Sequence, residues 1–392
     1  MRILILSFYY EPDLCAGSFR TTALVGALRA RAREGTQIEV LTTQPNRYGS
    51  FARVAPSSEA TAGLSVRRIP LPKHQSDMVG QAHAFVHFAR HALRYVRGQR
   101  YDVVFATSSR LMTAALGARI ARRARAKLYL DIRDIFADTI GDLLPRALAV
   151  PARAVFSRLE AWAIRRAQRV NLVSPGFESY FLSRYGRLAF RAYTNGIDEE
   201  FLGTPPVAVK PASPPAVLTI LYAGNIGEGQ ALHDIVPQLA VALKGRARFI
   251  VIGDGGRRAM LEDTLRTAGA DNVLLRPPMS RQDLLGAYHA ADVFFLHLGS
   301  QAAFEKVLPS KVFEYAALGK PLLAGVNGYA ARFINEEVEN SAVFAPGDVR
   351  AGLAALDSLR FEDVQRSRFI AKFRRSAIVL AMADDILALA SS

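Results

Sequence analysis

Leu218–Gly224, LTILYAG, and Ala247–Gly255, ARFIVIGDG, decide the fold. Each is a short apolar run that stops at glycine and is followed by a helical pattern. Such runs are too short for helices and lack the alternation of a half-solvated strand, so they read as buried strands of a parallel sheet. NVLLRPP (272–278), DVFFLHL (292–298) and PLLAG (321–325) repeat the theme. The first half has RILILSFYY (2–10), QIEVLTT (37–43), VRRIPLP (66–72), DVVFAT (102–107), KLYLDI (127–132) and RVNLVS (169–174). Strands alternating with helices predict α/β architecture, with two doubly wound Rossmann-like domains facing a cleft.

A chain of 392 residues is long enough for about two domains of roughly 150 to 200 residues. Residues 203–216, GTPPVAVKPASPPA, carry five prolines and suit neither a helix nor a central strand. The expected division is therefore 1–202, a linker at 203–216, 217–360, and C-terminal helices over 361–392. The single Cys15 excludes an intramolecular disulfide and fits a reducing cytoplasm. No apolar run reaches the roughly 18 to 20 residues of a spanning helix, and the N-terminus enters a strand pattern directly. A cytoplasmic location is expected.

Charge is uneven. Residues 1–200 hold 30 Lys plus Arg against 16 Asp plus Glu, and the remainder 20 against 19, so almost all of the net +15 lies in the first half. It concentrates at Arg119, Arg122, Arg123, Arg125 and Lys127. A second concentration runs from Arg146 to Arg169, where Arg153, Arg158, Arg165 and Arg166 interleave with Val155, Phe156, Leu159, Trp162 and Ile164. This is an amphipathic basic helix, suited to an anionic membrane surface and equally to a solvated face. Nucleic acid is not expected as a partner, because the aromatics form no stacking platform and no nucleic-acid motif occurs.

Lys306–Gly319, KVLPSKVFEYAALG, carries the chemistry. Pro309-Ser310 suits a helix start with Ser310 as cap, and the free N–H groups beyond it favour phosphate. Lys311 adds a point charge, and Glu314 offers acceptors for vicinal ribose hydroxyls. The same residues also suit a plain surface helix. Gly224-Asn225-Ile226-Gly227 and Gly253-Asp254-Gly255 follow strands and would let backbone N–H groups approach a ligand, or form tight turns. Ala16-Gly17-Ser18 is read as a comparable loop after the first strand. His74, His83, His87 and His91 show near-helical spacing without convergent carboxylates, so no metal site is expected.

In order and spacing these pieces resemble the retaining GT-B glycosyltransferases called glycosyl transferases group 1, over essentially the whole chain. The resemblance rests on ILILSFYYEPDLCAGSFR, VNLVSPGFESYF, YTNGIDEEF (193–201), LYAGNIGEGQAL, FIVIGDGGRR and LPSKVFEYAALGKPLLAG. Within that family it looks most like bacterial enzymes of lipopolysaccharide, O-antigen or capsule synthesis. It implies a nucleotide sugar in the second domain, UDP-linked by preference, and a lipid-linked or lipopolysaccharide glycan acceptor in the first. It further implies that Glu314 holds the ribose, and that Lys311 lies by the diphosphate with Leu308, Pro309 and Ser310. Arg276 and Pro277 frame the base, Gly17 meets the donor phosphates, and Asp134 lies near an active-site position. Hexosyl transfer with retention (EC 2.4), no cofactor and no metal are implied, with an N-acetylated hexosamine as the sugar. A helix at the C-terminus would cross back to the first domain. The location implied is peripheral, on the cytoplasmic face of the inner membrane.

Two positions depart from the family pattern. Counting back from Glu314, the place of a first glutamate is taken by Lys306, with Glu305 next to it. Asn225 and Gln230 stand where an Arg and a Lys are usual, and Lys306 with Lys311 would supply the missing charge. Two other readings stay open: a GT-B sugar-nucleotide epimerase or hydrolase, and a non-catalytic nucleotide-sugar-binding subunit.

Overall fold

The structure is a computed structural model and describes residues 1–46, 55–72, 78–108, 111–135, 146–186, 189–202 and 216–392. Its two compact units are Met1–Asn195 with Ser376–Ser392, and Gly196–Arg375.

The first unit contains β1 Arg2–Leu6, β2 Gln37–Thr43, β3 Ser58–Thr61, β4 Leu64–Ile69, β5 Val103–Thr107, β6 Lys127–Ile132, β7 Arg169–Leu172 and β8 Phe190–Arg191. Its helices are α1 Ala16–Arg31, α2 Met78–Tyr95, α3 Leu111–Ala124, α4 Arg146–Ile164 and α5 Glu178–Tyr185. The sheet runs β3-β4-β2-β1-β5-β6-β7-β8, parallel except for the β3–β4 pair. β1 is fully apolar from Ile3 to Leu6 and buried throughout that run, as a central strand covered on both faces must be.

The second unit contains β9 Leu218–Ala223, β10 Ala247–Ile252, β11 Val273–Arg276, β12 Val293–His297, β13 Leu322–Gly325 and β14 Ser341–Phe344. Its helices are α6 Leu232–Ala242, α7 Arg258–Ala268, α8 Arg281–Ala290, α9 Lys311–Ala317, α10 Gly328–Glu337, α11 Val349–Ser358 and α12 Ser367–Phe373. The strand order is β11-β10-β9-β12-β13-β14, all parallel. The last helix, α13 Arg375–Ser391, packs Val379, Met382, Ala383, Ile386 and Leu389 against Ile3, Ile5, Leu24 and Leu28. That apolar stripe places the chain's end in the first unit.

The structure departs from the sequence reading at several points. The first predicted strand ends at Leu6, and the third segment of the first half, VRRIPLP, starts earlier, at Leu64, and ends at Ile69. β3, β8 and β14 were not foreseen; they are two to four residues long, with β3 exposed and mostly polar, β8 half-buried, and β14 half-buried except at Phe344. The chain enters the second unit at Gly196, ahead of the expected boundary at 202. Ile197 and Phe201 are buried in that unit's core, and Ile197 N–H donates to the Phe373 carbonyl at 2.8 Å. Residues 361–366 are not helical as expected: Val364 N–H donates to Gly319 O at 2.9 Å, and Lys320 pairs with Asp363 at 3.0 Å. Most of the proline-rich stretch lies outside the described residues.

A buried ion pair organises the first unit. Arg20, on α1, donates through Nε to Asp131 Oδ2 at 3.1 Å and through Nη2 to Oδ1 at 3.0 Å. The other donors of Arg20 reach the carbonyls of Thr194 and Tyr193. Asn171 on β7 donates to Asp131 Oδ1 at 2.7 Å and accepts from Tyr193 N–H at 2.6 Å. Arg20 and Asp131 are each 1% exposed. Burial pushes the Asp131 carboxyl up, but the charge and hydrogen bonds of Arg20 outweigh it and hold the group below its ordinary value. The depressed value means the pair stabilises the fold above the unfolded carboxyl's pKa of about 3.9, and that this is lost as pH falls through the folded value.

Arg20→Met leaves Asp131 buried without its cation, which should destabilise the first unit by about 3–5 kcal/mol. The chain's single tryptophan, Trp162, lies in that unit, so its fluorescence during urea unfolding reports the change. A shift under about 1 kcal/mol would show that Asp131 does not depend on Arg20.

Candidate active site

In the second unit the strand order reverses between β9 and β12, and the carboxyl ends of these strands flank the crevice where doubly wound sheets hold ligands. The loops after β9, β10 and β11 lie side by side there. Gly224 N–H donates to Ile252 O, Ile226 N–H to Asp254 O, and Gly253 N–H to Arg276 O, at 2.9, 2.9 and 3.0 Å. This close approach explains two glycines. Gly253 has φ +153°, and a Cβ there would sit 1.8 Å from Gly224 O; at Gly255, with φ +154°, it would sit 2.5 Å from Ile226 O. Packing of loop on loop therefore demands these residues, whatever else the exposed backbone does.

Asn225 and Gln230 bond to each other, with Asn225 Nδ2 donating to Gln230 Oε1 at 2.7 Å. The same oxygen accepts from Gly227 N–H at 3.3 Å, and a Cβ on Gly227 would strike Asn225 Nδ2 at 2.4 Å. The place of the usual Arg and Lys is thus filled by a neutral, self-satisfied pair. His297 at the end of β12 supports the loop: Gly347 N–H donates to its Nε2 at 3.2 Å, which puts the proton on Nδ1, facing Gln230 O at 2.8 Å. Burial pushes His297 down to about 4, so it is a neutral structural group.

α9 brings Lys311 and Glu314 to the crevice. Ser310 already has helical backbone angles and its side chain makes no capping bond, contrary to expectation. The helix has seven residues, so its dipole is small beside the point charge of Lys311. Lys311 Nζ donates to Glu314 Oε2 at 2.9 Å, and the Tyr288 hydroxyl donates to the same oxygen at 3.1 Å. Glu314 is 6% exposed. Burial pushes its carboxyl up, but Lys311, then Arg281 and Arg375, more than offset this and hold it below its ordinary value. Tyr288 is raised well above its ordinary value, by burial first and then by Glu314, so it keeps its proton as donor. The Tyr315 hydroxyl accepts from Ala223 N–H at 2.9 Å, tying α9 to the end of β9. At Gly224 a Cβ would lie 3.3 Å from Lys311 Cε, so the lysine stem runs along that glycine.

The rest of the segment is structural. Gly319 has φ +78° and ends the helix, and Arg366 donates to the carbonyls of Ala316 and Lys320 at 3.1 and 3.0 Å. Burial pushes Arg366 down to about 10. Leu308 is buried in the core at 4% exposure, and Pro309 is half-buried. Lys306 ends a short 3-10 helix, Ala302–Lys306, and is half-buried, while Glu305 is exposed. Arg276, the last residue of β11, and Pro277 just after it are exposed.

In the first unit, Gly17 is not in a loop: it lies in the first turn of α1, buried, with its carbonyl accepting from Thr21 Oγ1 at 2.9 Å. Asp134 follows β6 and reaches solvent, so the protein around it acts on the carboxyl only in part. The push from burial is upward, to about 6, against the pull of Arg133. Two residues of consequence escaped the sequence reading. Tyr288 carries no motif signal. Asp198 lay within the quoted NGID stretch, and it binds Arg281 and Arg375 at 2.5 and 2.6 Å. Among the described residues there is no group of three or more His, Cys, Asp or Glu able to hold a metal. His87 and His91 stack on α2 at 4.1 Å, and His74 lies outside the described residues. No helix among the described residues is long and apolar enough to cross a membrane.

Comparison with known proteins agrees with this layout. The profile described as "Glycosyl transferase 4-like domain" matches residues 20–191, and that described as "Glycosyl transferases group 1" matches 218–360. The chain is 23% identical over 345 residues to the putative colanic acid biosynthesis glycosyl transferase WcaI of Escherichia coli (strain K12), covering 81% of this chain and 82% of that one. Anabaena HepE in complex with UDP superposes with a TM-score of 0.65 at 15% identity, over 99% of this chain and all of that one. WaaG, a glycosyltransferase involved in lipopolysaccharide biosynthesis, gives a TM-score of 0.58 at 14% identity, over 99% and 97% of the two chains.

The glycine contacts lead to a paired test. Gly253→Ala should lower the stability of the second unit by at least about 2 kcal/mol through strain and overpacking. Gly256→Ala, with nothing within 4 Å of the added carbon, should be tolerated. Calorimetric unfolding of the two variants checks this, and equal stability would mean that the loops separate at no cost.

Proposed function

The chain belongs to the glycosyl transferases group 1 family and is a GT-B glycosyltransferase, and from that premise we propose that it moves a sugar from a UDP-sugar to a lipid-linked or lipopolysaccharide glycan, with retention and without a metal. The observation that carries the donor reading is the Lys311–Glu314–Tyr288 cluster at the β9/β12 crevice. Both hydrogen bonds to Glu314 fall on Oε2, which leaves Oε1 to accept from the ribose hydroxyls. Ammonium has three donors, so Lys311 can serve Glu314 and the diphosphate together. Arg276 and Pro277 would border the base, and Lys306 would add charge near the diphosphate beside Leu308, Pro309 and Ser310. The UDP bound to Anabaena HepE supports uridine as the base.

Breaking the anomeric bond creates an oxocarbenium-like sugar and negative charge on the departing diphosphate. Lysines already oriented around that diphosphate would stabilise it without reorganisation, while the N–H groups of Gly224, Gly227, Gly253 and Gly255 are taken by Ile252 O, Gln230 Oε1, Arg276 O and Asp254 Oδ1. Gly224, Asn225, Gly227, Gly253 and Gly255 contribute loop backbone at this face; with Asn225 and Gln230 neutral, Lys311 and Lys306 carry the charge. Asp134, after β6 and open to solvent, is the proposed acid–base group of this reading. Gly17, in the first turn of α1, is kept as a proposed phosphate contact of the first unit. The proposed sugar is an N-acetylated hexosamine, an assignment that follows the family resemblance.

α4 supplies a membrane-facing surface. Val150 and Val155 are 74% and 55% exposed, and Arg153 and Arg158 are exposed beside them. Apolar and cationic groups on one exposed surface suit an anionic leaflet, consistent with a peripheral enzyme on the cytoplasmic face of the inner membrane.

Titration with UDP and with GDP in EDTA should show one UDP bound per chain, with binding lost in Glu314→Ala and weakened about tenfold in Lys306→Ala. Unchanged binding in Glu314→Ala would end the ribose assignment. The product anomer, read by NMR with EDTA present, should match the donor's; inversion or loss of turnover would contradict the mechanism. Liposome binding should require anionic lipid and fall as salt rises; binding indifferent to both would remove the membrane reading.

A further inference from the structure

Lys311, Arg281 and Arg375 all act on the buried carboxylate of Glu314, and they differ in how firmly the fold holds them. Lys311 is the loose one: its side chain is 24% exposed, and its ammonium ends a flexible stem that runs along Gly224. Arg375 is 3% exposed, pairs with Asp198 Oδ1 at 2.6 Å and donates to Gly196 O at 3.1 Å. Arg281, the first residue of α8, donates to Asp198 Oδ2 at 2.5 Å, pairs with Glu200 at 2.7 Å and lies over the Phe201 ring at 5.3 Å. Phe201 packs on Tyr288 with ring centroids 6.0 Å apart, and the Tyr288 hydroxyl donates to Glu314. Arg281 therefore reaches Glu314 in two ways, by its charge and through the rings of Phe201 and Tyr288.

The difference matters once a second anion arrives. A buried carboxylate with a single counter-ion keeps it, because losing it leaves an uncompensated charge or forces protonation. Were Lys311 the sole support of Glu314, a diphosphate would have to compete with that carboxylate for the same ammonium. Arg281 and Arg375 remove the competition. Asp198 fixes both of them, and Glu200, the other carboxylate on Arg281, has a side chain 49% exposed, so solvent screens its claim on that charge. Burial works against the charge of Arg281, but Asp198, Glu200 and Glu314 outweigh it, and the guanidinium holds its proton more tightly than usual.

We propose that Arg281 and Arg375, anchored by Asp198, are the standing counter-ions of Glu314, which leaves the charge of Lys311 for the diphosphate of the donor. Both arginines are positioning residues: they act on the nucleotide through Glu314, and Arg281 also through Tyr288. The proposal rests on the UDP-sugar reading of this site. It adds that holding the ribose and neutralising the diphosphate are the work of separate charges.

Uridine carries the ribose without the diphosphate, so titrating the full-length chain with uridine and with UDP separates the two tasks. Lys311→Gln should bind uridine about as well as wild type does, since the arginines still hold Glu314 ionised, while its UDP affinity falls about tenfold or more. Equal losses for both probes in Lys311→Gln would mean that Glu314 depends on Lys311, and would overturn the proposal. Arg281→Gln leaves Lys311 detained by Glu314, so the advantage of UDP over uridine should shrink about tenfold, with Arg281→Lys recovering part of it. A loss in the same proportion for both probes is what a merely structural Arg281 would give, and it counts against the proposal, as does an unchanged ratio. Should calorimetric unfolding show that Arg281→Gln does not fold, Lys311→Gln decides. Glu314→Ala marks which idea has failed: if it keeps both probes, the donor reading falls and this proposal with it. If it loses both while Lys311→Gln shows equal losses, the donor reading stands and the assignment of counter-ions alone falls.

Discussion

Asp198 is the carboxylate on which the second unit closes. One oxygen takes Arg281 at 2.5 Å and the other pairs with Arg375 at 2.6 Å, while Arg281 also reaches Glu200 at 2.7 Å. Arg375 is the last residue of the unit and Asp198 the third, and the backbone between them is stitched by Ile197 to Phe373 and Arg375 to Ile197, each at 2.8 Å. Entry and exit of the chain are therefore held together at one point. Both arginines also act on Glu314, helping Lys311 to keep that buried carboxylate ionised. The charge state of the site thus draws on the closure of the unit that contains it.

The site follows one rule: a charge that is buried is paired and hydrogen-bonded. Lys311 and Glu314 have each other and Tyr288; Lys320 has Asp363; Arg366 has four carbonyl neighbours, of Ala316, Lys320, Glu339 and Asn340. Where charge might have been expected, at Asn225 and Gln230, the chain has a neutral pair joined by a hydrogen bond. The cation that stands at this crevice is Lys311, on α9, with its stem along Gly224. In the first unit the same rule makes Arg20 and Asp131 a closed pair and makes the unmatched Nη1 of Arg133 stand out.

The sequence reading was strongest for central strands. Gln37–Thr43 and Lys127–Ile132 were read to the residue, because an apolar run bounded by polar or turn residues has few other solutions. It was weak for β3 and β8, short edge strands whose pairing is supplied by a neighbour rather than by their own pattern. Lys311 and Glu314 were legible since three positions along a helix bring side chains together. Ser310 was misread because composition indicates a capping residue but not its backbone angles, and Gly17 because a helix can carry a glycine in its first turn.

By itself, the sequence determined the α/β class, the alternation of strand and helix in both halves, the positive charge of the first half and the short segment that carries a lysine and a glutamate. These are local or additive properties, readable from periodicity and composition. Tertiary structure alone decided that Tyr288 donates to Glu314, that Gly253 and Gly255 exist because two loops touch, that the last helix returns to the first unit's core, and that Arg133 is left with an unpaired nitrogen. Each of those depends on atoms far apart in the chain meeting within hydrogen-bond or van der Waals distance, and no local pattern encodes which distant partner will be there.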